Sequence, residues 1–175
     1  MNELQHLRAV LKEDATWIKF RNTVRNCWQP EFDKYLDEIK TLHAGRSIRT
    51  LDAKMPTGRS IGEAAARDQM VRSRCVEIAM NVTIVRNILA ASLKNVQKYV
   101  EAKYSGYMAS SLGLRGTTDR KNMVQAVLSP YYTRFDSAQT IIDIADMVIA
   151  DCDRSSYAIK HMTEALTVAT KREGL

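Results

Sequence analysis

Lysine, arginine and tyrosine side chains cluster in residues 94–121, and their types and spacing suit the binding of nucleic acid. Six basic residues in this segment stand against two acidic ones. Ammonium and guanidinium groups neutralise phosphates, and tyrosine rings stack on unpaired bases. The segment predicts a binding site for single-stranded nucleic acid at Lys94, Lys98, Lys103, Tyr104, Tyr107, Arg115, Arg120 and Lys121. The alternative is that the tyrosines belong to the core or an interface and the lysines to an ordinary helix surface.

A second basic segment spans residues 44–60, where Gly, Pro and cationic residues mix without a period. This composition is typical of a loop or a mobile arm. Its cations either form a second contact strip for nucleic acid or belong to a solvated loop. The candidate contacts are Arg46, Arg49, Lys54 and Arg59.

The residues that could do catalysis do not converge in the sequence. His6, His43 and His161 lie far apart, and no Cys-x-x-Cys pair is present. Cys152 has apolar and acidic neighbours, which raise a thiol pKa. We therefore predict no enzymatic activity, no metal and no cofactor. The acidic residues near the last cysteine fit a solvated helix face, namely Asp143, Asp146, Asp151 and Asp153.

Composition bounds the class of protein. The 175 residues carry a net charge of +6, and 45% of them are hydrophobic. The mean hydropathy of −0.30, with no apolar run of membrane-spanning length, predicts a soluble protein without a membrane span. The first residues lack the features of a signal peptide, and three widely spaced cysteines favour a reducing compartment. We therefore expect a cytoplasmic location.

Hydrophobic periodicity predicts an all-α fold in a single domain. Two stretches of 43 residues, 63–105 and 131–173, contain neither Gly nor Pro and carry apolar residues at helical spacing. Ser60 and Glu63 fit a capping box, and Ser129-Pro130 fits a helix start. The predicted segments are N-terminal helices in 1–43, divided near Glu13-Asp14; a basic loop in 44–60; a long central helix in 61–104; a basic Gly-containing loop and short helix in 105–128; and a C-terminal helix in 129–174.

The length of the predicted helices suggests self-association. A helix of 43 residues measures roughly 65 Å, whereas a compact domain of this chain length has a radius of gyration of about 16 Å. We therefore expect sister chains to complete the core and the last helix to drive homo-oligomerisation. The predicted contacts are Ile142, Ala145, Ile149, Tyr157, Ile159, Met162 and Leu166. Continuity of this helix through Ser155-Ser156 is left open.

Three short motifs occur in an order that resembles a known family. They are Tyr104-Ser105-Gly106 after a basic helix, Leu128-Ser129 about twenty residues later, and the run from Ser155 to Met162. Together they resemble the recombination mediators of the UvsY type from T-even-like bacteriophages. The family's DNA-contacting run, Lys-Ala-Arg-Leu, falls on residues 98–101, where only Lys98 matches. Lys94, Lys103 and Arg115 would supply the missing positive charge.

The resemblance implies a non-enzymatic protein that binds single-stranded DNA in the host cytoplasm. It also implies a ring of about six or seven subunits, built through C-terminal helices. Such a protein loads a RecA-like recombinase onto DNA coated with single-stranded DNA-binding protein. The alternative hypothesis is a helical phage structural, assembly or adaptor protein without a nucleic-acid function.

Overall fold

The computed structural model describes residues 2–46 and 57–173, except for the side chains of Ala169, Arg172 and Glu173. Every regular element in these ranges is an α-helix, which confirms the all-α prediction. The helices are α1 (Glu3–Lys12), α2 (Ala15–Cys27), α3 (Phe32–Ala44), α4 (Gly58–Lys103), α5 (Ser105–Ser110) and α6 (Thr117–Glu173).

The division of the N-terminal region near Glu13-Asp14 is confirmed. Asn2 caps α1, accepting a hydrogen bond from the Leu4 backbone at 2.9 Å. Asp14 caps α2, because its Oδ1 accepts from the backbone N–H of Trp17 at 2.9 Å. A capping carboxylate offers the chain an alternative to helical hydrogen bonding, so one helix ends and the next begins here.

Helix α4 begins three residues before the predicted position. Thr57 and Ser60 form a reciprocal pair: the Ser60 backbone N–H donates to Thr57 Oγ1 at 3.2 Å, and the Thr57 N–H donates to Ser60 Oγ at 2.9 Å. This is the geometry of a capping box with serine in the third helical position. Glu63 instead pairs with Arg59 at 3.0 Å, so its predicted capping role was wrong.

Helix α6 begins at Thr117 and not at Ser129, and it continues through Pro130 and Ser155-Ser156. Proline has no N–H, so Pro130 leaves the carbonyl of Ala126 without its helical donor. The guanidinium of Arg8 reaches that carbonyl at 3.5 Å from α1. A substitute donor of this kind lets a helix tolerate an interior proline, and the predicted helix start at Ser129 was therefore wrong.

Contacts divide the chain into two compact units. The first unit comprises residues 1–32 and 83–139, and the second comprises residues 33–82 and 140–175. The chain crosses between the units three times: at the start of α3, inside α4 and inside α6. The crossings in α4 and α6 fall in helical stretches that contain neither Gly nor Pro. No loop marks these two crossings, which is why the sequence analysis described one domain.

The apolar stripes of both long helices are largely buried within one chain. On α4 the stripe at Val71, Cys75, Ile78, Val82, Val85, Leu89, Val96 and Val100 is at most 8% exposed. On α6 the side chains of Ala138, Ile141, Ala145, Val148 and Cys152 are at most 5% exposed. The expectation that these stripes need sister chains was therefore wrong for the part of the chain before Asp153.

Helix α4 also has the length and apolarity of a membrane span. Its most apolar window has a mean hydropathy of 1.4, and 28% of that window is buried. By length and composition alone, α4 could cross a membrane, so the sequence argument against a membrane-spanning helix does not hold. Core helices of water-soluble proteins meet the same criterion.

Arg46 is the centre of an ionic network in the second unit. Its side chain is 1% exposed and makes a bidentate pair with Asp68, with Nε to Oδ1 at 3.0 Å and Nη2 to Oδ2 at 2.7 Å. The guanidinium also donates to the Asp151 carboxylate and to Ser155 Oγ. The pair with Asp68 raises the pKa of Arg46, so the charge is permanent. The prediction of Arg46 as a nucleic-acid contact was wrong.

We expect Arg46→Ala to destabilise the fold strongly. Removal of one partner from a buried ion pair costs about 3–5 kcal/mol, because the remaining carboxylate stays buried without its counter-charge. Arg59→Ala is the matched control, because the Arg59 side chain is 89% exposed and its pair with Glu63 is worth about 0.3–0.5 kcal/mol. Urea unfolding should separate the two variants. Equal midpoints would show that the network does not stabilise the second unit.

Candidate nucleic-acid interface

Positive charge is concentrated in one of the two units. The first unit contains 13 Lys and Arg residues against 7 Asp and Glu, whereas the second contains 13 against 13. The whole net charge of +6 therefore belongs to the first unit. An uneven field of this kind attracts polyanions to one part of a molecule.

Four of the predicted contact residues present exposed cations in this unit. Lys94 and Lys98 lie one turn apart near the end of α4, Arg115 lies between α5 and α6, and Lys121 lies near the start of α6. No carboxylate of the described residues forms an ion pair with any of them. Their charges are therefore available to an external anion.

The segment between α5 and α6 is held in a defined turn. Gly113 has a φ of 69°, a backbone conformation that favours glycine over residues with a side chain. The backbone N–H of Leu114 donates to the carbonyl of Met108 at 2.9 Å and closes the turn. Arg120 donates to Ser105 Oγ at 3.0 Å, which ties the start of α6 to the start of α5. Arg120 is therefore half-buried and positions the turn that carries Arg115.

Lys103 and Tyr104 are engaged with Asp14. The side chain of Asp14 is fully buried, and its Oδ2 accepts hydrogen bonds from Lys103 Nζ at 2.7 Å and from Tyr104 Oη at 2.6 Å. Tyr99 Oη donates to the same oxygen at 2.8 Å. Tyr104 is 8% exposed, so it does not offer its ring to a base as predicted. Lys103 keeps a half-exposed side chain but carries an internal counter-charge.

The hydrogen bonds of this cluster favour the charged forms of both Asp14 and Lys103. Burial by itself would raise the pKa of Asp14, but the hydrogen bonds from Lys103, Tyr104, the Trp17 backbone and Tyr99 hold it well below its usual range. The bond to Asp14 likewise raises the pKa of Lys103. Lys103 therefore has mainly a structural role, because its bond to Asp14 orients the end of α4.

The remaining candidates of the nucleic-acid site differ in how they are presented. Tyr107 is half-buried in α5. In the run that aligns with the family's DNA-contacting motif, Val100 is fully buried and Glu101 is half-buried, accepting from Gln97 Nε2 at 3.0 Å. Arg59 is exposed beside Glu63, while Arg49 and Lys54 lie outside the described residues.

The predicted oligomerisation residues fall into three groups. Ala145 is fully buried within the chain, and Tyr157 is 71% exposed. The others are half-buried, namely Ile142, Ile149, Ile159, Met162 and Leu166. From Asp153 to Lys171, apart from Ala169, no side chain is buried. The apolar residues of the last turns of α6 are therefore uncovered in a single chain.

The thiols and histidines do not form a reaction centre in the part of the chain that the structure describes. Burial raises the pKa of Cys75 to about 11 and also raises the pKa of Cys152, which confirms the direction predicted for the latter thiol. His43 lies 3.1 Å from Asp151, and His161 pairs with Glu164 on the surface of α6. No group of three His, Cys, Asp or Glu side chains in the described ranges is arranged to hold a metal ion.

In comparisons with known proteins, no family model, no curated protein and no solved structure matches this chain. The UvsY-type resemblance therefore stays a prediction carried by its three motifs. The structure places Tyr104-Ser105-Gly106 at the junction of α4 and α5, and the other two motifs inside α6.

The sequence analysis missed Asp14 as a partner of the basic helix end. Its only local signal is the position three residues before Trp17, which suits a helix cap. The tyrosines and the lysine that it binds lie 85 to 90 residues away along the chain. No pattern within one helix could indicate that pairing.

We expect Asp14→Asn to cost about 1.5–3 kcal/mol of unfolding free energy at pH 7, because hydrogen bonds to a charged acceptor are lost while the amide can still cap α2. The lowered pKa of Asp14 means that its contribution is present above pH 4 and declines as the pH falls below that value. Urea unfolding at pH 7 and pH 2.5 should show the difference between wild type and variant shrinking. A pH-independent difference would contradict the electrostatic role.

Proposed function

We propose that this protein is a non-enzymatic, single-stranded DNA-binding protein that contacts DNA through its first unit. The observation that carries the proposal is the location of the entire net positive charge in that unit, together with exposed cations that pair with no carboxylate in residues 2–46 and 57–173. Phosphate neutralisation supplies most of the affinity in sequence-independent binding. Lys94, Lys98, Arg115 and Lys121 are the proposed phosphate contacts.

The preference for single strands is supported by the aromatic residue near these cations. Unpaired bases stack on exposed aromatic faces, which duplex DNA does not permit. Tyr107 is the remaining candidate for base stacking, because the hydroxyl groups of Tyr99 and Tyr104 are bound to Asp14. Because Tyr107 is the one predicted tyrosine contact not engaged by Asp14, the affinity of a single subunit would rest mainly on charge.

We further propose a role as a recombination mediator, which loads a RecA-like recombinase onto DNA covered by single-stranded DNA-binding protein. This finer proposal is supported by the three motifs of the UvsY-type resemblance. Assembly into a homo-oligomer would multiply weak contacts through effective concentration, so that a strand binds several subunits at once. The cytoplasm of a host cell is the location that this role requires.

Self-association is proposed through the last turns of α6. Tyr157 and Val168 are 71% and 52% exposed, and their separation of 11 residues places them on one helix face. Ile159, Met162 and Leu166 lie half-buried in the same turns, but roughly 140–200° around the helix from Tyr157, so they form a second apolar strip and do not belong to this face. A second copy of this helix is the proposed occupant of the face, because coiled-coil pairing buries such residues between like helices.

The second candidate is a helical structural or assembly protein. The exposed apolar side chains of α6 favour it, since they provide a protein contact without any need for DNA. The two candidates differ in one property: an assembly protein would form oligomers without preferring single-stranded over duplex DNA.

We expect the double variant Lys94→Gln/Lys98→Gln to weaken binding to an oligonucleotide of deoxythymidine. The logarithmic salt dependence should flatten by about 1.4, because each neutralised phosphate contributes about 0.7 on single strands. Fluorescence anisotropy across a salt series measures both quantities, with a duplex as comparison.

The matched control for these lysines is Lys34→Gln/Lys40→Gln, which removes the same charge from exposed positions of the neutral unit, away from the last turns of α6. Its salt dependence should equal that of the wild type. An identical loss in both variants would assign the effect to net charge and contradict a contact at Lys94 and Lys98. Equal wild-type affinity for single strand and duplex would favour the assembly candidate.

We expect Tyr157→Asp/Val168→Asp to reduce the mass of the assembly, because a carboxylate in an apolar contact is costly to desolvate. Ser156→Asp/Thr167→Asp adds the same charges at the same spacing on an adjacent exposed face and should leave the mass unchanged. Light scattering at micromolar concentration measures both. A monomeric wild type, or an unchanged mass in the first variant, would refute assembly through this face.

A further inference from the structure

A groove in the first unit is lined by three arginines that the sequence analysis did not single out. Arg21 and Arg25 lie one turn apart on α2, and Arg134 lies on α6 across a groove of about 500 Å³. Asn22 of α2 adds an amide to the lining. The arginines belong to different helices of one unit, so its folding brings them together.

No carboxylate in the described ranges pairs with these three guanidinium groups. Arg134 lies with its guanidinium carbon 6.0 Å from the centre of the Trp28 ring, a cation–π contact that orients it. Other arginines of the chain differ from them: Arg46, Arg72 and Arg74 each bind a carboxylate. Like charges around one groove repel each other, so an anion bound there would relieve the repulsion.

The wall of the groove is partly aromatic and packs against buried rings. Tyr131 lines the groove next to Pro130. Its ring packs edge-on against two other rings, with the ring centres 4.8 Å apart for Phe20 and 5.9 Å apart for Trp17. Phe20 and Trp17 are buried, which fixes the backbone of α2 that carries Arg21 and Arg25. Guanidinium groups held on such a support match the planar, multidentate recognition of phosphate.

We infer that this groove binds phosphate groups of the DNA strand, as a contact separate in sequence from Lys94 and Lys98. The inference rests on the proposed function and deepens it by naming a second contact in the same charged unit. The groove accommodates a sugar-phosphate segment, with the three arginines on its phosphates and Tyr131 beside the sugar or base. The ligand class is a phosphodiester in an unpaired strand.

The test compares Arg21→Gln/Arg25→Gln with Lys12→Gln/Lys19→Gln. Both variants remove two exposed charges from the N-terminal helices, but Lys12 and Lys19 do not line the groove. We expect the arginine variant to bind an oligonucleotide of deoxythymidine about tenfold more weakly and to lose about 1.4 of the salt slope, since two phosphates lose their partners. The lysine variant should change affinity by less than about twofold. Circular dichroism of both variants confirms that the helices are intact.

A local measurement complements the affinity. The chain has two tryptophans, and Trp28 is the one in contact with Arg134. We expect the oligonucleotide to change the intrinsic fluorescence of the wild type, and Trp28→Phe to remove most of that change. Because Trp17 packs against Tyr131 of the same groove, any response that remains in Trp28→Phe is measured again after Arg21→Gln/Arg25→Gln is added to that variant. A response that the added arginine substitutions leave unchanged would place the bound strand away from the groove and overturn the inference.

The remaining outcomes separate this inference from the proposed function. Salt-dependent binding by the wild type with equal behaviour of the arginine and lysine variants would overturn the groove and leave the DNA-binding function standing. Absence of wild-type binding to the oligonucleotide would overturn both. Calorimetric titration with thymidine monophosphate and with pyrophosphate tests whether the groove instead binds the phosphate groups of small free molecules. Arginine-dependent binding of these without strand binding would assign the groove to free nucleotides and refute the strand as its ligand.

Discussion

The carboxylate of Asp14 is the interaction on which the first unit depends. It caps α2 through the backbone of Trp17 and at the same time accepts from three side chains at the end of α4. A single buried charge thereby fixes where the N-terminal helices pack and how the basic end of α4 is oriented. Because the interior has a low dielectric constant, loss of any of these donors leaves the buried carboxylate less well compensated and costs stability.

This arrangement separates two classes of cation that look identical in the sequence. Lys103 and Arg46 carry charges that internal carboxylates neutralise, and they stabilise the fold. Lys94, Lys98, Arg21 and Arg25 have no such partner in the part of the chain that the structure describes. The difference between the units arises in the same way, since the second unit balances its 13 cations with 13 acids and the first does not. The proposed DNA contacts lie in the first unit, where cations outnumber acids.

The helical periodicity was sufficient to predict the fold class, the break before α2 and the approximate extent of α4. Local rules failed where a distant partner altered the outcome. Pro130 looked like a helix start, but Arg8 supplies a donor to the freed carbonyl and the helix continues. Tyr104 looked like a stacking residue, but Asp14 binds its hydroxyl from 90 residues away. The arginine groove escaped notice because its members lie on two helices more than 100 residues apart in sequence.

The three thiols of this chain have a practical consequence for experiments in solution. Cys75 and Cys152 are buried, Cys27 is half-buried, and burial raises the pKa of all three. Thiolate is the form that reacts with maleimides and disulfide reagents, so these residues react slowly at neutral pH. A spectroscopic label would consequently attach selectively to an engineered surface cysteine. The three native cysteines need not be replaced beforehand.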